Sequence, residues 1–377
     1  MSLGWDFSAE QESALKQLLY DLVAIESPSG EAERIRQVMA RAAEDLEGVP
    51  NVEMTWHENG GLPILELWRG RGGALLLAHA DTVWPLGTLE VMPWQEDGQG
   101  KIFGPGILDM KAGLALGIYA IRSLDPATPF HLLITPDEEV GSDKSRAIIE
   151  LQAQEAPVAL VLESGMPNGA LKIARAGVGD FNADITGVQS HAGLEPEKGA
   201  SAITEAAQQI LWLKTLENRV MGTSVNVGTV EGGTRSNVVP GHAQMAIDVR
   251  VQTRSEMERI ESTLAHPPIF DTHTTVHYHG GFNRPPMEAM ASSAAWFERA
   301  QWIWRQETGQ ELEGVRVGGA SDGNFTAAFV ATLDGLGAVG QGPHARHEHI
   351  EWSYMASRVR LIAQLVEAAR TMRSGSR

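Results

Sequence analysis

The chain has 377 residues, of which 43% are hydrophobic and 21% charged, with a formal net charge of −18 and no cysteine. That length exceeds the usual single-domain size of roughly 100 to 200 residues, so two domains with an ample core are expected. The acidic balance argues against nucleic acid and membrane surfaces as partners. The lack of cysteine excludes disulfides and thiolate metal sites, leaving His, Asp and Glu as the strong ligands.

The opening "MSLGWDFSAEQ" lacks a basic, apolar signal sequence, and no run of about 18 apolar residues could span a membrane, so a cytoplasmic protein is expected. In "QESALKQLLYDLVAIE", Leu15, Leu18, Leu19, Leu22 and Val23 recur at helical spacing until "SPSG" breaks the pattern, and a second helix is predicted over Glu31 to Leu46. Strands follow at "NVEMTW", "LPILELW" and "ALLLAHA", the last apolar throughout, as a strand covered on both faces would be. "MKAGLALGIYAIRSL" reads as a helix, "FHLLITP" as a strand, "SRAIIELQAQ" as a helix and "VALVLES" as a strand. This alternation predicts an α/β fold with a mixed, mostly parallel sheet and helices on both faces.

Between about 174 and 283 the pattern changes. "VGDFNADITG" is a strand, "GASAITEAAQQILWLKTLEN" a helix, "SVNVGTVEGG" and "AQMAIDVRVQ" strands, "RSEMERIESTLA" a helix and "TTVHYHG" a strand. That β-α-β-β-α-β order is the ferredoxin-like split motif. It is expected as an α+β insertion over 174–283, within a larger domain made of 1–173 and 284–377.

Ligands in such sheets gather beyond the carboxyl ends of the strands. His79 and Asp81 follow "ALLLA", Glu138 and Glu139 follow "HLLIT", Glu163 ends "VALVL", and Asp109 sits in the glycine-rich turn "GPGILDMKAG". Any one of these reads as a cap or a solvated group, whereas together they fit a two-metal centre of imidazole and carboxylate ligands. "GLGAVGQGPHARHEHIEW" offers His344, His347 and His349 as a further ligand, and spacing alone does not choose among them.

The segments "HADTV", "GPGILDMKAG", "TPDEEVGS", "ES", "SHAG", "TRSNVVP", "DVR", "GGASDGNF" and "GPHARHEHI", in that order, resemble the co-catalytic zinc family of aminoacylases, acetylornithine deacetylases, succinyl-diaminopimelate desuccinylases and bacterial glutamate carboxypeptidases. The wording "HADTVWPLGTL" and "GPGILDMKAG" looks most like the glutamate carboxypeptidase branch. The resemblance implies a zinc-exopeptidase type of fold with an inserted lid and dimerisation domain. It also implies two zinc ions per subunit, with cobalt or manganese as substitutes.

It makes His79 and Glu163 ligands of one ion, Glu139 and His344 ligands of the other, and Asp109 a bridge with a cis peptide to Met110. His344 is preferred because Glu348 follows four residues later, as in the family, which leaves His347 and His349 as surface or supporting groups. Asp81, two residues past His79 on an extended segment, is expected to accept a hydrogen bond from the free imidazole nitrogen and so fix the tautomer. Glu138 and Glu139 are expected to point opposite ways along an extended chain, with Glu138 as the general base that activates a metal-bridged water.

In the insertion, Met245, Ile247 and Val249 share one strand face, and Ala246, Asp248 and Arg250 the other, so Arg250 is not a core residue. The match to the family's D-x-R implies that Arg250 recognises a substrate carboxylate, with Asn237 and Gly319 as companion contacts. His191 of "SHAG" would reach the active site of the other subunit of a homodimer and steady the oxyanion. Arg175 and Arg235 are further basic candidates near the domain junction, equally readable as structural.

The expected activity is hydrolysis of a small peptide or N-acyl amino acid with a free carboxylate, glutamate carboxypeptidase-like. An N-acyl amino-acid deacylase, or a non-catalytic dimeric binding protein of the same fold, is the alternative. A serine hydrolase would need a G-x-S-x-G elbow, which "LESGMPNG" and "TGVQSHAG" do not supply.

Overall fold

The computed structural model describes residues 8–372, so most of the N-terminal stretch read for a signal sequence lies outside the described residues. The chain forms two compact units. One consists of Met1–Ile173, Ala289–Arg316 and Ser321–Arg377; the other consists of Ala174–Glu288 and Val317–Ala320. Among the described residues no helix is long and apolar enough to cross a membrane.

The larger unit is built on a mixed sheet of six strands. Their spatial order is Glu53–Asn59, Leu62–Arg69, Phe130–Thr135, Ala74–His79, Ala159–Val161 and Thr332–Leu333. The pairings at the Glu53–Asn59 end are antiparallel and the remaining three are parallel. Ala74–His79 lies at the centre and is buried at every position, which is why its run is apolar without alternation.

The first helix, Ala9–Ala24, is started by a capping box between Ser8 and Gln11 and buries Leu15, Leu18, Leu19, Leu22 and Val23. Helix Ala112–Arg122 is buried along almost its whole length, and a Cβ on its Gly113 would come within 1.9 Å of the Leu162 carbonyl oxygen. Only glycine lets that helix close onto the sheet, and this close approach holds the turn just before it against the strand ends.

The smaller unit carries an antiparallel sheet in the order Ser224–Gly232, His242–Val251, Gly177–Thr186, Thr275–Arg284. Its helices are Ala202–Thr215 and Arg254–Leu264. In sequence order the sheet reads second, third, first, fourth, which is the ferredoxin-like arrangement. One sheet face packs into a core that includes Phe181, Ile185, Val225, Met245, Ile247, Val249, Ile260 and Leu264. Along His242–Val251 the alternation holds, with Asp248 and Arg250 on the other face.

Candidate metal centre and active site

Parallel register brings the candidate ligands of the larger unit to one sheet edge. His79 is paired with Thr135, so those two strands end level, and Leu77 is paired with both Leu133 and Val161, so the third central strand ends two residues earlier. Glu138 and Glu139 follow Thr135 in a turn, and Glu163 lies two residues beyond Val161. Asp109 sits in the turn Ile107–Lys111, where it and Met110 depart from helical geometry, and the Asp109–Met110 peptide is cis.

Asp109 stands between two imidazoles. Its Oδ1 is 3.2 Å from His79 Nε2 and its Oδ2 is 3.2 Å from His344 Nε2. His79 Nε2 is also 3.3 Å from Glu163 Oε1, and His344 Nε2 is 3.2 Å from Glu139 Oε2. Glu138 joins the same cluster: one ligand atom from each of His79, Glu138 and Glu163 lies within 4.8 Å of the others, as does one from each of His79, Asp109 and Glu139.

The electrostatics of this cluster call for cations. Burial opposes protonation of His79, but the carboxylates of Asp109, Asp81 and Glu163 outweigh it and lift its pKa well above the ordinary value. Hydrogen bonding to Asp109, then to Glu139, raises His344 to about 10. Burial works to raise Asp109, yet the contacts to His344 and His79 hold it below the usual carboxylate range. Glu139 is pushed up by burial, and its Oε1 is buried without a hydrogen-bond partner. An orphaned carboxylate oxygen beside two imidazoles and further carboxylates is the donor set of hard divalent or zinc-type ions, so these residues fit a metal centre.

Asp81 faces His79 with both its main chain and its carboxylate. The acceptor nearest His79 Nδ1 is the main-chain carbonyl of Asp81 at 3.0 Å, with the carboxylate Oδ1 farther, at 3.4 Å. The carboxylate also accepts from the main-chain N–H of Glu138 at 3.1 Å and of Glu139 at 3.2 Å, and from Ser29 Oγ at 2.7 Å. Asp81 therefore orients the turn that carries both glutamates. Those glutamates lie in a 3-10 turn, Glu138–Val140, rather than on an extended chain, so strand alternation does not set where their side chains point.

Several supports escape a reading by motif alone. Glu348, used above only as a marker for His344, is fully buried and accepts from Gly106 N at 2.9 Å, Leu108 N at 2.8 Å, Asp109 N at 3.1 Å and Trp84 Nε1 at 2.8 Å. Burial pushes its carboxyl up to about 7 against the pull of those donors. Asp322, from "GGASDGNF", accepts from Thr135 Oγ1 at 3.1 Å and from the Ser142 hydroxyl, tying together the two ends of the segment that bears Glu138 and Glu139. For Asp322 the available signal was a carboxylate inside a glycine-rich stretch, and for Glu348 its spacing four residues after His344. His349 is buried, 5.0 Å from the Phe103 ring, rather than at the surface, whereas His347 is exposed.

The remaining candidates lie in the smaller unit. The Nδ1 of the exposed His191 accepts from the N–H groups of Gly193 and Leu194, each at 3.1 Å. Asn237 is exposed, and its main-chain carbonyl accepts from Ala192 N at 3.1 Å. The Arg250 guanidinium is not open: its Nε and Nη2 grip the carboxylate of Asp248 at 2.7 to 3.0 Å. Arg175 is buried and donates to the carbonyls of Gly319 at 3.3 Å and Ala320 at 3.2 Å, which gives it a structural role in holding that loop. Arg235 is exposed, its carbonyl accepting from Val238 N.

The profile of peptidase family M20/M25/M40 matches residues 75–368, a span that includes every residue of the cluster. The chain belongs to this family. Its members are hydrolases and metal-dependent peptidases, which agrees with the donor set at the sheet edge. Carboxypeptidase G2 of Pseudomonas sp. (strain RS-16) is 27% identical over 378 residues, covering 95% of this chain and 90% of that protein. Succinyl-diaminopimelate desuccinylase of Delftia acidovorans is 26% identical over 323 residues, covering 76% of this chain and 81% of that protein. Aminopeptidase PepT of Bacillus cereus ATCC 10987 shares the fold, with a TM-score of 0.79 at 24% identity over 95% of this chain and 99% of that one.

Proposed function

We propose that the chain hydrolyses an amide or peptide bond next to an amino acid with a free carboxylate, in the manner of a glutamate carboxypeptidase. The observation that carries this reading is the placement of Asp109 between His79 and His344, with Glu138, Glu139 and Glu163 around them. The match to carboxypeptidase G2 over most of both chains supports the substrate class. Two zinc ions would be held by His79 and Glu163, and by Glu139 and His344, with Asp109 shared; cobalt or manganese would substitute. When bound, such ions polarise the scissile carbonyl and acidify water toward neutrality.

Glu138 takes a proton from the attacking water and passes it to the leaving amine nitrogen, so the C–N bond breaks without expelling an amide anion. Because Nδ1 of His191 accepts two N–H bonds, the ring proton sits on Nε2 and is available to an oxyanion. Arg250, with Asn237 and Gly319, binds the substrate carboxylate, which displaces Asp248 from the guanidinium fork. The larger unit is then the catalytic domain and the smaller a lid through which a homodimer forms, with His191 acting on the partner's site. The cytoplasm is the proposed location.

An N-acyl amino-acid deacylase is the second reading, favoured by the match to succinyl-diaminopimelate desuccinylase. Assay of the purified, zinc-loaded chain on N-acyl-glutamates, N-acetylornithine and dipeptides tests the proposal. Turnover of acyl-glutamates is expected, turnover of N-acetylornithine alone would favour the deacylase, and no turnover of any of them would overturn both.

A further inference from the structure

A cavity of about 490 Å³ lies wholly within the larger unit, where the end of helix Ala112–Arg122 meets helices Ala291–Thr308 and Met355–Met372. Small-molecule sites span roughly 300 to 1,000 Å³, so its size suits a ligand. Arg360, Ala363, Gln364, Glu367 and Arg370 line it from the last helix, at the three- and four-residue spacings that share one helix face.

The cavity is remote from the metal-type cluster. Helix Ala112–Arg122 starts directly after the turn that carries Asp109, and the cavity lies at its other end, at Ser123 to Pro126. At 1.5 Å per residue this helix separates the two by roughly 16 Å. A small molecule in the cavity therefore does not touch the groups around Asp109.

The acids of the lining are already engaged. Glu367 accepts from Asp125 N at 2.9 Å and Thr128 Oγ1 at 2.6 Å, one donor on each oxygen. Glu307 accepts from Gln364 Nε2 at 2.7 Å and Arg360 Nη1 at 3.4 Å. Asp125 Oδ1 accepts from Ala127 N at 2.7 Å.

Arg360 is different. A guanidinium carries five N–H donors, yet its one hydrogen bond among the described residues is that long contact to Glu307, and its Nε is buried without an acceptor. What the lining lacks is an acceptor, and a carboxylate is the group that matches a guanidinium fork. Leu124, Pro126 and Ala363, with the methylene stems of the arginines, add an apolar wall.

We propose that this cavity binds a small amphipathic monocarboxylate, with Arg360 holding the carboxylate and Leu124, Pro126 and Ala363 covering the apolar body. The site stands whether or not the chain hydrolyses amides, because none of its residues belongs to the metal-type cluster.

The test is calorimetric titration of the zinc-loaded chain with 4-phenylbutanoate and with its neutral analogue 4-phenylbutanamide, with melting curves to confirm that each variant is folded. The native chain is expected to bind the acid at least about tenfold more tightly than the amide. Equal affinities, or no binding of the acid, would overturn the proposal. Arg360→Ala should weaken the acid by about tenfold or more and the amide by less than about twofold, and an unchanged affinity for the acid would be equally fatal.

Glu307→Gln keeps the side-chain volume and decides the matter should Arg360→Ala not fold. Removing the charge that competes for Arg360 should tighten the acid by about threefold and leave the amide unaltered, whereas no gain would count against the site. His79→Ala, at the far end of helix Ala112–Arg122, should bind the acid as the native chain does. Loss of binding there would place the carboxylate at the metal-type residues and overturn the proposal.

Discussion

Asp109 and Glu348 lie 239 positions apart in the chain and are joined by a 3.1 Å hydrogen bond from the Asp109 main-chain N–H to Glu348 Oε1. With its bonds to Gly106 and Leu108, the same carboxylate collects the N–H groups of the glycine-rich turn and sets where Asp109 can stand. Glu348→Ala leaves these donors and the Trp84 indole without an acceptor. A stability loss of about 2–4 kcal/mol is expected in urea denaturation, with reduced zinc content after reconstitution. Unchanged stability and zinc content would mean that Glu348 merely fills space.

Asp109→Ala and His79→Ala should each abolish tight binding of at least one ion, because both residues converge on shared donor positions. Metal analysis after dialysis reads the outcome. Chelation of the native chain should remove activity, and zinc should restore it. Full activity in the presence of chelator would contradict the metal centre.

Glu138→Gln keeps the shape of the side chain while removing the base. Turnover should fall on the order of 10²-fold or more with metal content retained. Near-normal turnover would assign the proton transfer elsewhere.

Arg250→Ala should raise KM for substrates with a free α-carboxylate far more than for their amides, since only the former use the guanidinium fork. Asp248→Asn adds a second handle, because it removes the charge that holds Arg250 in this structure. It should lower KM for the same substrates, and insensitivity to both changes would leave Arg250 a structural residue. If His191 acts across a dimer, mixing His191→Ala with Glu138→Gln subunits should recover part of the activity. Subunit exchange without recovery would confine His191 to its own chain.

Acid stability should depend on Glu66, whose carboxylate lies 2.5 Å from both His57 Nε2 and His131 Nε2. Burial works to raise its pKa, but the two imidazoles hold it below the ordinary 4.5. A carboxyl depressed in the folded state contributes stability in full above its unfolded pKa, and that contribution is lost as the pH falls through the lower folded value. The melting temperature of the native chain should therefore drop more steeply below about pH 4.5 than that of Glu66→Gln. Parallel curves would rule out the linkage.

Periodicity and residue type were enough to read the helices, the covered central strand and the ferredoxin-like insertion from sequence, because each depends on contacts within a few residues or on which face a side chain occupies. That His and carboxylate residues fall at strand ends was legible for the same local reason. Their convergence was not: it needed the parallel register of Ala74–His79, Phe130–Thr135 and Ala159–Val161, and the turn that sets Asp109 3.2 Å from both His79 and His344. Tertiary structure alone also decided that the Asp81 carboxylate holds the Glu138–Glu139 turn, that Glu348 gathers the Asp109 turn, and that Arg250 rests on Asp248. A buried carboxylate takes whichever N–H donors the folded chain brings within about 3 Å, and for Glu348 those donors lie some 240 residues away, beyond the reach of any local pattern.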